Sequence, residues 1–92
     1  MIVRILGEGQ LALPEQHLDE LNTYDAALSD AVAVGDEDAF RRHLTGLLDR
    51  VRELATPVAD HDLRPSDLIL PAPDSTLMEV AGLLVDEGLI PG

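Results

Sequence analysis

The sequence has no cysteine, no lysine and only two aromatic residues, Tyr24 and Phe40, among its 92 residues. Without cysteine it can form neither disulfides nor thiolate metal sites. Packing alone must therefore stabilise a short chain whose core is modest. Hydrophobic residues make up 46% of the chain, so we expect an aliphatic core. The length suits one domain spanning residues 1–92.

Basic residues are scarce as well: six arginines face 18 acidic residues, for a formal net charge of −12. Nucleic-acid binding depends on cations that neutralise phosphates, and anionic membranes attract basic segments. The composition therefore argues against both ligands and favours a basic protein partner. No run approaches the ~20 apolar residues of a transmembrane helix. The start lacks the basic region of a secretion signal, so we expect a cytoplasmic protein.

The first part of the chain predicts a β-hairpin. Residues 2–6 alternate and are rich in β-branched side chains, which favours a strand. Gly7-Glu8-Gly9 is typical of a tight turn, because glycine readily adopts a positive φ. Residues 10–13 then form a short second strand.

The middle of the chain predicts two helices in an antiparallel hairpin. The first begins at Pro14 and ends at Gly35, and the second is capped by Asp36 and runs to about Ala55. The second helix carries a clean apolar stripe, namely Phe40, Leu44, Leu47, Val51 and Leu54. This stripe could join a partner coiled coil, but core packing is the stronger interpretation for so small a domain.

The last third predicts one more strand and one more helix. Residues 57–67 are polar and indicate a loop, and residues 68–70 form an apolar third strand. Thr76 and Glu79 have the spacing of a capping box, which starts a helix that ends at Gly88. The order β-β-α-α-β-α predicts an α+β fold, in which a helical hairpin and a C-terminal helix pack on a three-stranded sheet.

No catalytic or cofactor motif is present. Gly7-Glu8-Gly9 lacks the additional glycines and the lysine of a phosphate-binding loop, and no two histidines stand four apart as in a helical zinc pair. We therefore predict no catalytic residues, no cofactor and no structural metal. One alternative stays open: Asp60, Asp62 and Asp67 could bind a divalent cation in a small-ligand or ion-sensing domain.

Four segments, spread over the chain, resemble the PspA-associated protein family (PspAA). They are MIVRILGEGQ at residues 1–10, DRVREL at 49–54, RPSDLILP at 64–71 and DEGLIP at 86–91. The resemblance implies a non-enzymatic accessory protein of the bacterial phage-shock, or envelope-stress, response. Its partner would be PspA, a coiled-coil protein that remodels or protects the inner membrane. One departure is Leu11, where relatives are expected to carry an aromatic residue, so partner preference could differ here.

Two loop segments carry this resemblance without an evident role in the core. We predict that they form the contact surface for the PspA-type protein, which would hold the chain peripherally at the inner membrane. The predicted contact residues are Gly7, Glu8, Gly9 and Gln10 in the turn, and Arg64, Pro65, Ser66 and Asp67 before the third strand.

Overall fold

The computed structural model describes residues 1–58 and 65–83. In chain order, the elements are β1 (Ile2–Ile5), β2 (Gly9–Ala12), a 3-10 turn (Glu15–His17), α1 (Leu18–Val34), α2 (Glu37–Leu54), β3 (Thr56–Pro57), β4 (Leu68–Leu70) and α3 (Leu77–Leu83). The predicted α+β class is confirmed. The predicted end of the last helix at Gly88 lies outside the described residues.

The sheet has four strands in the order β3-β2-β1-β4, so the prediction of three was wrong. β1 is antiparallel to β2 and parallel to β4. The unpredicted strand is β3, which pairs with Leu11 and Ala12 of β2. Two residues are too short to show a period-2 pattern, and Pro57 argued for a loop. At a sheet edge, however, the missing N–H of proline is tolerated.

The β1–β2 hairpin is confirmed, and glycine is needed at both ends of its turn. Gly7 and Gly9 have φ angles of +87° and +106°, a region that side chains with a Cβ rarely adopt. Glu8 N–H donates to the Ile5 carbonyl at 2.9 Å. The two glycines and this hydrogen bond therefore fix the backbone conformation at Glu8.

The link between α1 and α2 also follows the prediction. Gly35 ends α1 with a φ of +74°, and Asp36 caps α2 by accepting from Ala39 N–H at 3.0 Å. The start of α1 differs: Pro14 has a ψ of 135° and is extended. A 3-10 turn intervenes, so the α-helix begins at Leu18 and not at Pro14.

The core is aliphatic and lies between the helices and the inner face of the sheet. Phe40, Leu44, Leu47 and Val51 of the α2 stripe are fully buried, which confirms the core interpretation for these positions. They belong to one cluster with inward side chains of the strands and of the other helices, namely Val3, Ile5, Leu13, Leu21, Leu28, Leu68, Leu70 and Val80.

α3 is fastened to the helical hairpin at its N-terminal end. The predicted capping box is present: Glu79 N–H donates to Thr76 Oγ1 at 3.2 Å, and Thr76 N–H donates to Glu79 Oε1 at 3.4 Å. In addition, Arg41 of α2 donates to the carbonyls of Pro73 and Ser75, both at 2.8 Å. One guanidinium thus holds the backbone of residues 73–75, directly ahead of α3.

We predict that Arg41→Ala lowers the free energy of unfolding by about 1 to 2 kcal/mol, because two hydrogen bonds from a charged donor are lost at a partly exposed site. Urea denaturation measures this change. The matched control is Arg42→Ala, an exposed neighbour whose loss should stay within about 0.5 kcal/mol. Equal losses in the two variants would contradict the role given to Arg41.

Candidate functional site

The predicted contact residues lie at two ends of β1. The parallel register pairs Val3 with Leu68 and Ile5 with Leu70. Residues 65–67 therefore lie beside the start of β1, while the turn at residues 7–9 follows its end. Four strand residues separate them, about 13 Å along the strand. Arg64 lies outside the described residues.

Ser66 nevertheless connects the two segments across the sheet. Its Oγ accepts hydrogen bonds from Gln10 Nε2 at 2.8 Å and from Arg4 Nε at 3.3 Å. Arg4 and Gln10 are direct neighbours in the β1–β2 register, so all three polar groups share one face. Sequence reasoning missed Arg4, since a lone base within an apolar strand has no local signal of its partner 62 residues away.

Asp67 supports the start of β1. Its Oδ2 accepts from Ile2 N–H at 2.7 Å, and its own N–H donates to the Ile2 carbonyl at 2.8 Å. The Asp67 carboxylate thus accepts a hydrogen bond from the backbone of β1. Asp60 and Asp62, the other residues of the cation-binding alternative, lie outside the described residues. Within residues 1–58 and 65–83, no group of three or more histidine, aspartate or glutamate side chains could hold a metal ion.

Glu8 is bound to α2 by a two-pronged ion pair. Arg52 Nε donates to Glu8 Oε1 at 2.9 Å, and the Arg52 Nη2 donates to Glu8 Oε2. Arg52 also reaches Asp49 Oδ1 at 2.8 Å. The hydrogen bonds from Arg52 hold the pKa of Glu8 below its usual value, against a smaller opposing effect of burial. Glu8 therefore fixes the turn against α2 through an arginine that it shares with Asp49.

The exposed side of the sheet, which we call the outer sheet face, gathers apolar and polar groups. It consists of Arg4, Leu6, Gln10, Ser66 and Ile69. Arg4 pairs in register with Ile69 on one side and with Gln10 on the other, and Leu6 comes directly after β1. Ile2 shares this side by the alternation of β1 but is only 7% exposed, so the outer sheet face does not include it. Leu6 is 39% exposed and Ile69 is 52% exposed. Aliphatic side chains beside an arginine and an amide suit a protein contact.

Leu11, the departure from the family pattern, lies on the other side of the sheet. It pairs with Val3 and with Pro57, and it is half-buried against the core cluster. A change of residue type at position 11 therefore alters packing beneath the sheet more directly than the outer sheet face.

No helix within residues 1–58 and 65–83 is long and apolar enough to span a membrane.

A protein-family model described as PspA-Associated protein matches residues 1–92, the whole chain. The resemblance seen in the four sequence segments is thereby confirmed. The family is not a known enzyme family. Neither a curated protein nor a solved structure matches the chain.

The Glu8–Arg52 pair yields a pH-dependent prediction. Both side chains are about one-third exposed, at 35% and 36%, so we expect a coupling of about 0.5 to 1 kcal/mol at pH 7. Because folding lowers the pKa of Glu8, this stability is complete above the unfolded pKa and is lost as the pH falls through the folded one.

A double-mutant cycle with Glu8→Gln, Arg52→Gln and the double variant, followed by urea denaturation from neutral to acidic pH, measures the coupling free energy. It should vanish at the acidic end. A coupling that stays constant over this range would contradict the assignment to an ionised Glu8.

Proposed function

Since the chain belongs to the PspA-associated protein family, we propose that it is a non-catalytic accessory protein of the bacterial phage-shock response that binds a PspA-type coiled-coil protein. The observation that carries this proposal is the match of the family model over residues 1–92. The composition supports it, because a chain with a net charge of −12 is disfavoured on an anionic bilayer by itself. In this proposal the partner brings the protein to the inner membrane.

We propose that the partner binds at the outer sheet face and at the adjoining β1–β2 turn. The proposed contact segments are still Gly7–Gln10 and residues 64–67, but their residues have two different roles. Gln10 and Ser66 contribute to the surface itself. Glu8 and Asp67 hold the backbone that carries this surface. Glu8 fixes the turn to α2, and Asp67 fixes the start of β1.

A helix of the partner is a suitable occupant of this surface. Helices commonly pack on one face of a sheet, burying an apolar stripe, and here the described helices cover the opposite face. Leu6 and Ile69 offer apolar area to such a stripe. Arg4, which lies between Gln10 and Ile69, offers a guanidinium to a carboxylate of the partner, a pairing that fixes register as well as adding affinity.

The test must spare the supporting residues. Replacing Glu8 would remove the ion pair with Arg52 and disturb the turn, so a loss of binding would be ambiguous. Ile69 is a better position because it is half-exposed and its neighbours Leu68 and Leu70 carry the inward packing of β4. Met78 provides the matched control, as a mostly exposed apolar residue, 83%, on α3.

We predict that Ile69→Glu weakens binding of the PspA-type protein from the same host by about tenfold or more, because a carboxylate would be buried in an apolar contact. Met78→Glu, which adds the same charge elsewhere, should leave affinity within about twofold. Isothermal titration calorimetry measures both dissociation constants.

The possible outcomes distinguish a wrong contact surface from a wrong partner. Equal affinities for Ile69→Glu and the wild-type chain would contradict the outer sheet face as the contact. No binding by the wild-type chain would contradict the proposed function itself. Circular dichroism of the variants verifies that each stays folded.

A further inference from the structure

A second surface lies between α1 and α2, beside the link that joins them. It is an open groove of about 310 Å³, which we call the hairpin-tip groove. Arg52, which holds the β1–β2 turn, is far along α2 from the groove residue Ala39: thirteen residues at 1.5 Å each amount to roughly 20 Å. The groove is therefore distinct from the contact surface proposed above.

The floor and one rim of the groove are apolar. Ala27 and Ala31 of α1 face Ala39 of α2, and these short side chains leave the space between the two helices unfilled. Ala31 is only 4% exposed, whereas Val34 at the rim is 78% exposed. An aliphatic side chain inserted here would remove apolar surface of both molecules from water, which is favourable.

The border of the groove is acidic. Asp30 and Asp36 line it, and Asp36 also caps α2 by accepting a hydrogen bond from Ala39 N–H through one carboxylate oxygen. Arg41, which stands one turn further along, donates to backbone carbonyls ahead of α3. The carboxylates of Asp30 and Asp36 thus lie directly beside the apolar floor, with His43 closing the groove at the α2 side.

We propose that the hairpin-tip groove binds a basic amphipathic helix of a partner protein. An aliphatic side chain of that helix would contact the alanine floor and Val34. Lysine or arginine residues flanking it would meet Asp30 and Asp36. This is the helix-in-groove mode of recognition, in which apolar anchors recur at i, i+3 and i+4. The charge of the border selects a basic helix over an acidic one.

This inference concerns a different surface from the outer sheet face and does not depend on the identity of the partner bound there. The suitable probe is a synthetic helical peptide of about 20 residues, with leucines on one face and lysines beside them. A second peptide carries glutamate in place of every lysine. The full-length chain, labelled with ¹⁵N, is titrated with each peptide and followed by amide chemical shifts.

We expect the lysine peptide to shift amides of residues 27–39 at about 50 mM salt, where charges are weakly screened, and the glutamate peptide to leave them unmoved. Asp30→Lys should weaken binding about threefold to tenfold. Glu15→Lys makes the same change of net charge near the other end of the helical hairpin, and it should alter affinity by less than about twofold. Val34→Ser should also weaken binding, since it removes apolar contact area at an exposed position.

Several results would overturn the proposal. Equal weakening by Asp30→Lys and Glu15→Lys would mean diffuse attraction to an acidic protein and no groove. Shifts confined to other residues, or equal binding of the glutamate peptide, would contradict the site or its charge preference. Absence of any binding by the lysine peptide would refute it, while leaving the contact at the outer sheet face unaffected.

Discussion

Pairing of β1 on both of its edges is the constraint on which the rest of the structure depends. β1 lies between β2 and β4, and its side chains Val3 and Ile5 are fully buried beneath the helices. At its start, Met1 and Leu13 exchange two backbone hydrogen bonds of 2.8 Å. On the other edge Asp67 binds Ile2 through side chain and backbone. Loss of β1 would remove the pairing partner of β4, leave β2 paired only with the two-residue β3, and open the core.

Ion pairs connect α2 to α1 and to the β1–β2 turn. Arg50 of α2 binds Glu20 of α1 at 2.6 Å, and its hydrogen bonds hold the pKa of Glu20 below the usual value. Arg52 binds Glu8 in the β1–β2 turn. Pairs at a protein surface contribute little stability, so we assign them a role in orientation. Arg50–Glu20 orients α1 against α2, and Arg52–Glu8 orients α2 against the β1–β2 turn, while aliphatic burial supplies the stability.

Local features were predictable from the sequence, and distant pairings were not. The positive φ of Gly7, the Gly35 helix end and the Thr76 capping box depend on neighbouring residues, so the sequence pattern was sufficient. β3 was missed because only its partner β2 makes it a strand. Likewise, apolar periodicity showed which face of α2 is buried but could not show that Glu8 pairs with Arg52, 44 positions away. The contact surface therefore stays a prediction, and the sequence did not separate its exposed side chains from those engaged within the fold.

We propose that the partner is recognised by the outer sheet face, whose backbone is held in place by Glu8 and Asp67. Isoleucine methyl NMR of the full chain, free and saturated with the PspA-type protein, tests this most directly. Ile69 lies on the outer sheet face, whereas Ile5 is fully buried and serves as an internal reference. We predict that the Ile69 methyl signal shifts or broadens while that of Ile5 stays in place. An Ile69 signal unchanged at saturation would contradict it.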